Sequence, residues 1–346
     1  MWTRWSARSQ RTKLRLRQAK ALNLRTEDDA RWLAAAAALA ERGRPLSRPN
    51  PAVAALVVAG GTVVGRGWTQ PGGRPHAEAM ALAQAGDRAR GATLYVTLEP
   101  CAHQSPRGPA CADLVVAAGV ARVVVGVTDP DPRTAGRGKA RVRGAGIVAE
   151  GVGDPCCAGS LAGYLAQAAL GRPHVTLKLA TSLDGCIALA DGTSRWITGP
   201  AARAHAHRER ARADAILVGG GTLRADAPAL DVRLPGLEDH APDRLVLTGG
   251  AVPDGWTALP DPQAIHELRH MQYLFVEGGA ETAAAFLRAD LVDRLLLYRA
   301  PVLLGGGKPA LADLQLSGLW QAHDRWLLTD RRSFAPDTLE IFTRTR

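Results

Sequence analysis

The sequence predicts an α/β protein of two successive units, and three observations carry that prediction. Strand-like apolar runs alternate with Ala- and Leu-rich helical stretches from about residue 51 to 152. The same alternation restarts at His174, after a Gly- and Ala-rich stretch. At 346 residues the chain is also long for one core, because chains beyond about 250–300 residues divide into domains. The expected division is a first domain over 27–152, a connector over 153–172 and a second domain over 173–346.

In the first unit, Pro51-Ala-Val-Ala-Ala-Leu-Val-Val reads as a buried strand, a continuous apolar run that needs cover on both faces. Gly60-Gly61 suits a hairpin turn, and Thr62 to Trp68 returns as the second strand. The stretch from His76 to about Gly86 suits a helix. Ala92 to Leu98 forms a third strand that delivers Glu99-Pro100-Cys101 at its end. Cys111 opens a helix stopping at Gly119, and Arg122 to Val127 is again β-rich. A basic helix then runs to Gly144, and Ile147 to Val152 closes the sheet. This alternation points to three layers, α/β/α.

The chemistry-bearing residues of this unit are His76, Glu78, Cys101 and Cys111. They offer an imidazole, two thiols and a carboxylate. A borderline-soft metal takes N and S donors, and three protein ligands leave the open position of a catalytic zinc site. Zinc lowers the pKa of bound water to roughly 7. Glu78 fits a proton shuttle between that water and a leaving amine. An H-x-E run followed by P-C marks zinc deaminases of cytosine or adenine type. The short form of that pattern has two residues between its cysteines, whereas Ala102 to Ala110 intervene here. That insert is long enough for a substrate-facing loop, and His103 within it is a competing nitrogen donor.

The second unit begins at His174-Val-Thr-Leu-Lys-Leu-Ala-Thr-Ser. Strands are expected near 215–219, 244–248, 273–277 and 294–300, and helices near 200–213 and 280–289. Glycine clusters Gly219-Gly220-Gly221, Gly278-Gly279 and Gly305-Gly306-Gly307 follow three of the strands. Backbone without a Cβ can approach a phosphate closely, and a helix start then faces the anion. Glu277 to Thr282 is the best such place. The G-x-G-x-x-G of a Rossmann fingerprint is absent after the first strand.

The net charge of +10 hints at nucleic acid until it is located. Residues 1–26 carry eight Lys or Arg and no acid, which leaves the rest near +2. The basicity is therefore an N-terminal arm, expected to be disordered and solvated. A nucleic-acid contact and an organelle-targeting leader are its other readings. No stretch approaches the roughly 20 apolar residues of a membrane span. Five scattered cysteines without framework spacing argue for a reducing compartment and a cytoplasmic protein.

Two motif sets occur in order. The first comprises Arg48-Pro49-Asn50-Pro51, His76-Ala77-Glu78, Thr97-Leu98-Glu99-Pro100-Cys101-Ala102-His103, Cys111, Asp129-Pro130-Asp131-Pro132 and Ala135-Gly136-Arg137-Gly138. The second runs through Leu177 to Gly185, Ser194-Arg195-Trp196-Ile197-Thr198, Asp214 to Gly219 and Val276-Glu277-Gly278-Gly279. In these, from about Asp28 onward, the chain resembles the bifunctional riboflavin-biosynthesis family, a pyrimidine deaminase fused to a uracil reductase. The resemblance implies a cytidine-deaminase-like fold followed by a dihydrofolate-reductase-like fold. It implies Zn²⁺ on His76, Cys101 and Cys111, with Glu78 as proton donor and acceptor. The implied substrate is a small phosphorylated pyrimidine, a diamino-hydroxypyrimidine carrying a phosphoribosylamino group. After its deamination, NADPH reduces the ribosyl group to ribityl.

By position, the resemblance places cofactor contacts on Ala180, Trp196, Thr222, Asp226 and Gly279, Ala280, Glu281, Thr282, Ala283, Ala284 and Ala285. Substrate contacts fall on Ser194, Arg210, Leu230, Arg233 and Glu277. Arg210 and Arg233 suit a substrate phosphate on their own chemistry, since guanidinium forks match it. Lys178, flanked by apolar strand residues, reads as an inward polar group near the cofactor. Departures from the family pattern are Arg48 where His often stands, Ala54 for a common Gly, a Cys101–Cys111 loop one residue longer, and Ala227 for the second Asp of an Asp-Asp-Pro run.

A homo-oligomer is expected, with neither a membrane nor nucleic acid as partner. The rival reading is a nucleic-acid base deaminase gripping its substrate by the basic arm, with the second domain a non-catalytic dimerisation module. The near-neutral body and the large second unit speak against it.

Overall fold

The computed structural model describes residues 27–346, and the basic arm expected over residues 1–26 lies outside them. The chain divides into two compact units between Ala162 and Gly163.

In the first unit, helix α1 includes residues 27–40. The hairpin β1 (Ala54–Ala59) and β2 (Thr62–Trp68) follows. Its turn residues Gly60 and Gly61 take φ of 56° and 75°, angles that only glycine adopts freely. Next come α2 (Ala77–Ala85), β3 (Thr93–Leu98), α3 (Cys111–Ala118), β4 (Arg122–Val127), α4 (Arg137–Gly144), β5 (Val148–Gly151) and α5 (Pro155–Ser160). The sheet order is β2-β1-β3-β4-β5. β1 is antiparallel to both neighbours, while β3, β4 and β5 run parallel.

Strand side chains alternate between faces. Leu56, Val58, Tyr95 and Val124 meet Leu33, Ala36 and Ala37 of α1 and Cys157 of α5. Helices α2, α3 and α4 pack with one another and, through α2, on β1 and β2. The three layers are those expected. Arg122 fastens α1 to the sheet, donating from both Nη atoms to Asp29 at 2.8 and 2.7 Å.

The second unit holds α6 (Ala162–Leu170, all but its first residue), β6 (His174–Thr181), β7 (Cys186–Ala188), α7 (Pro200–Arg210), β8 (Ala215–Gly219) and α8 (Gly220–Asp226). It continues with β9 (Asp243–Leu247), β10 (Trp256–Leu259), β11 (Tyr273–Val276), α9 (Ala280–Arg288), β12 (Arg294–Arg299), β13 (Lys308–Pro309), β14 (Trp326–Phe334) and β15 (Asp337–Arg344). The connector stretch 153–172 thus contains two helices, α5 in the first unit and α6 almost wholly in the second.

The main sheet has the order β10-β9-β8-β11-β6-β12-β15-β14. It is parallel from β10 to β12 and antiparallel at β15 and β14. Its parallel strands are covered on both faces, as parallel sheets require. Ala215 and Leu217 pack under Ala283 and Phe286 of α9, and their neighbours Ile216 and Val218 pack under Ala202 and Ala206 of α7. Strands β7, β10, β13, β14 and β15 and helix α8 were not anticipated from the sequence.

Candidate active sites

The first site is assembled by close backbone packing. A Cβ on Gly67 of β2 would lie 2.4 Å from the Ala77 carbonyl oxygen, and one on Gly65 would lie 2.1 Å from that of Ala81. Only glycine lets α2 lie this tightly on the strand. His76 precedes the first turn of α2 in extended conformation, and Glu78 is buried within that turn. Cys101 follows the end of β3, and Cys111 opens α3.

His76, Cys101 and Cys111 form the one candidate metal-binding group found among the described residues, with ligand atoms all within 4.8 Å of one another. His76 Nδ1 lies 3.2 Å from Cys111 Sγ and 3.6 Å from Cys101 Sγ. Tetrahedral zinc with bonds of about 2.0 Å to N and 2.3 Å to S separates such donors by roughly 3.5 Å. The donor set therefore fits zinc in chemistry and in spacing. His103 does not join it; its Nδ1 lies 3.4 Å from Thr134 Oγ1.

The hydrogen bond from the Cys111 thiol pulls the Cys101 pKa down to about 4. That same bond, with burial, raises Cys111. The Cys111 backbone N–H adds a donor to Cys101 Sγ at 3.2 Å. Burial raises the Glu78 pKa, opposed in part by the His76 imidazole. A carboxyl raised by burial is a stronger proton acceptor than an exposed one, which suits a group that relays a proton.

Glu99 is a residue whose work the sequence reading missed. Its side chain is fully buried and accepts hydrogen bonds from the Gly136 and Lys139 backbone N–H groups at 3.0 and 2.9 Å, at the start of α4. A Cβ on Gly138 would stand 2.0 Å from the Pro100 carbonyl oxygen. The Glu-Pro-Cys and Gly-Arg-Gly runs are thus two halves of one clasp beside Cys101. The signals available in the sequence were the acid directly before Pro100-Cys101 and the distant Gly136-Arg137-Gly138 run, with nothing to say that they meet.

The second site lies at the carboxyl ends of parallel strands β6, β8 and β11. Glu277, directly after β11, accepts from Arg210 Nε at 2.5 Å and Nη2 at 3.0 Å, with Lys178 Nζ 3.6 Å away. Burial alone would raise its pKa, but the Lys178 and Arg210 cations hold it down to about 2. Lys178 thus points inward as expected. The Arg210 fork is turned onto Glu277, and its Nη1 donates to the Asp231 carbonyl oxygen at 3.1 Å. Arg233 is exposed, with Nε 3.5 Å from Asp231.

Helix α9 starts at Gly279 without a side-chain cap. A Cβ on Gly279 would meet Thr222 Oγ1 alone, at 3.8 Å. This leaves open space before uncapped first-turn amides, which fits an anionic group of a nucleotide. Ala280, Glu281 and Thr282 belong to that turn. The Ala283 N–H is already bonded to the Gly279 carbonyl, and the Ala283 and Ala284 side chains are in the core. Ala285 is half-buried one position further on, and Ala180 is half-buried on β6. Leu230 is also buried, packed against the α7 face of the sheet.

Ser194 and Trp196 are exposed, Trp196 with the Arg203 guanidinium 4.6 Å over its ring. Asp226 is exposed, with Arg195 Nη2 3.9 Å away. The Gly305-Gly306-Gly307 cluster is structural. Leu304 and Gly305 N–H groups donate to Asp184, and a Cβ on Gly307 would stand 2.5 Å from the Ala188 carbonyl oxygen.

A three-donor zinc pocket with an adjacent buried carboxyl, followed by a parallel sheet with an uncapped helix start at its carboxyl edge, defines a zinc-dependent deaminase joined to a nucleotide-dependent reductase. Residues 26–127 match the cytidine and deoxycytidylate deaminase zinc-binding region. Residues 173–255 and 261–338 match the RibD C-terminal domain. Riboflavin biosynthesis protein RibD of Escherichia coli (strain K12) is 38% identical over 335 residues, 83% of this chain and 91% of that protein. Its counterpart in Mycobacterium tuberculosis is 41% identical, over 84% and 90% of the two chains.

Among solved structures, Acinetobacter baumannii RibD superposes with a TM-score of 0.79 at 34% identity, covering 92% of this chain and 99% of that one. A Thermotoga maritima diaminohydroxyphosphoribosylaminopyrimidine deaminase / 5-amino-6-(5-phosphoribosylamino)uracil reductase gives 0.79 at 28% identity, with the same coverage. The chain belongs to the RibD family of bifunctional riboflavin-biosynthesis proteins. It is a deaminase and a reductase, using Zn²⁺ and NADPH. No described helix is long and apolar enough to cross a membrane.

Proposed function

We propose that the first unit deaminates a diamino-hydroxypyrimidine bearing a phosphoribosylamino group, and that the second reduces the ribosyl group of the product to ribityl. The observation that carries this reading is the convergence of His76, Cys101 and Cys111 beside buried Glu78. His76 Nδ1 and the Sγ atoms of Cys101 and Cys111 would hold the metal. Zinc bound there supplies a Lewis acid and, at neutral pH, a hydroxide nucleophile. The Glu78 carboxylate takes the proton of the attacking water and returns it to the departing ammonia. Its burial lets it keep that proton between the two transfers. Glu99 fixes Cys101 by clasping the start of α4.

In the second unit, bound NADPH would supply the hydride for reducing the ribosyl group of the substrate. The first-turn amides at Gly279 to Thr282 would hold one of its phosphates, with Thr222 Oγ1 near Gly279. Ala180, Trp196 and Asp226 border the cofactor. Arg210 and Lys178 keep Glu277 ionised and aimed at the substrate. Ser194, Arg233 and the Leu230 main chain border the substrate.

Residues 27–152 and 173–346 serve as the two catalytic domains. The exposed Leu319, Trp320, Leu327 and Leu328 of the second unit support a homo-oligomer. Unpaired cysteines throughout the chain support a cytoplasmic location.

The test is a coupled assay on the diaminopyrimidine phosphate, following ammonia release and NADPH oxidation. A zinc chelator should stop ammonia release and spare reduction of pre-deaminated substrate. Ammonia release that survives complete zinc removal would refute the reading. The Glu78→Gln chain should bind zinc normally and release no ammonia.

A further inference from the structure

Two residues of α7 pin the stretch 231–233, and one of them, His207, has so far been given no part in either reaction. Arg210 Nη1 donates to the Asp231 carbonyl oxygen at 3.1 Å, and the Arg233 backbone N–H donates to His207 Nδ1 at 3.3 Å. His207 and Arg210 stand at i and i+3 of the helix, so they share one face of it. Directly before the pinned stretch, Leu230 takes φ of 51°. An L residue keeps such a left-handed angle only where its surroundings hold it. The segment is therefore built to present Arg233 in one place.

The imidazole also meets the Arg233 side chain, with Nε2 3.4 Å from Nη2. Burial and the Arg210 and Arg233 cations hold the His207 pKa below the ordinary histidine value, against the Glu277 carboxylate and the Asp231 carbonyl. The ring is therefore neutral near pH 7. With Nδ1 accepting, its one proton sits on Nε2. Nε2–H and the guanidinium are both donors, so neither satisfies the other. Arg233 Nε has Asp231 at 3.5 Å, an exposed pair of little strength. Arg233 has no further side-chain partner among the described residues. Two donors this close fit one shared oxyanion, and phosphate oxygens match both. We propose that His207 is a specificity-determining residue of the reductase half, which presents Arg233 and donates from Nε2 to the substrate phosphate beside it. The proposal rests on the reading that Arg233 borders the substrate.

Binding of the deaminated pyrimidine, as its phosphate and as the dephosphorylated riboside, is measured by calorimetry on the full zinc-loaded chain without NADPH. His207→Ala should bind the phosphate about ten- to a hundredfold more weakly, the worth of a hydrogen bond to a charged group. Its affinity for the dephosphorylated compound should stay put. His207→Gln should restore part of the loss, because its amide N–H can still donate to the phosphate. Arg233→Ala is the reference and should show the same selectivity. Equal losses for the two compounds in His207→Ala would make the ring a structural prop and overturn the proposal. A selective loss in Arg233→Ala with none in His207→Ala would overturn it too, and would leave Arg233 at the substrate. Selectivity in neither variant would sink the placing of Arg233 as well.

Discussion

Arg210 meets Glu277 side-on, with Nε and Nη2 on the two carboxylate oxygens at 2.5 and 3.0 Å, and Lys178 stands 3.6 Å from the same carboxylate. Two cations thus serve one buried anion that directly follows β11. Breaking a buried pair typically costs about 3–5 kcal/mol, because one charge stays buried without its partner. Lys178 remains to compensate here, so the lower end applies. Arg210→Ala should destabilise the second unit by about 3 kcal/mol in denaturant unfolding and lower the reductase kcat/KM. Ammonia release should persist. Equal losses in both reactions would contradict a division of labour between two sites.

Gly67 sets the distance between β2 and α2, and so the placement of His76 and Glu78. A methyl group there would stand 2.4 Å from both the Ala77 carbonyl oxygen and the Met80 Cβ. Neither can give way without moving the helix. Gly67→Ala should cost the first unit about 1–3 kcal/mol and weaken zinc retention against a competing chelator. Zinc affinity equal to the parent chain would show that the helix start is fixed by something else.

Acid should destabilise the second unit through Asp293. Its carboxylate takes both Nη atoms of buried Arg172, at 2.7 and 2.9 Å, and the Val175 N–H at 2.8 Å. Burial works against ionisation, yet these partners hold its pKa down to about 2. A depressed carboxyl contributes stability above its unfolded value of about 4, and that stability is lost as pH falls toward the folded value. The contribution is of order 2 kcal/mol. Between about pH 4 and 2 the parent chain should therefore lose stability faster than Asp293→Asn. Parallel pH profiles would rule the linkage out.

Ala227 ends α8 with φ of 39° and ψ of 53°. That left-handed conformation costs an L side chain roughly 1–2 kcal/mol, and glycine avoids the cost while losing some entropy on folding. Ala227→Gly should stabilise the second unit by about 0.5–1 kcal/mol, read from its denaturation midpoint. A lower midpoint would show that the Ala227 methyl makes a compensating contact.

The parallel strands were legible because both their faces are buried, which leaves continuous apolar runs such as Ala215-Ile-Leu-Val. The metal donors were legible for a different reason, since few other tasks need His, Glu and two Cys in that order. β14 was not legible. It is the edge strand, and its Leu327, Leu328, Asp330, Arg331 and Arg332 do not alternate between apolar and polar. β15 beside it does bury alternate residues, Leu339 and Ile341, but it is bracketed by polar residues that masked it. Arg210 was read as a phosphate ligand because sequence gives a residue's chemistry and not its neighbour. Its guanidinium meets a carboxylate whose position only the packing of α7 against β11 decides.

The Glu99 clasp ties metal capture to chain length. During synthesis, His76, Cys101 and Cys111 leave the ribosome before Gly136 and Lys139, which hold Glu99 in place. A nascent chain between those lengths has every donor but an unfastened Cys101, and should keep zinc less firmly. Stalled translation products ending before and after Lys139 should therefore differ in how firmly they retain the ion.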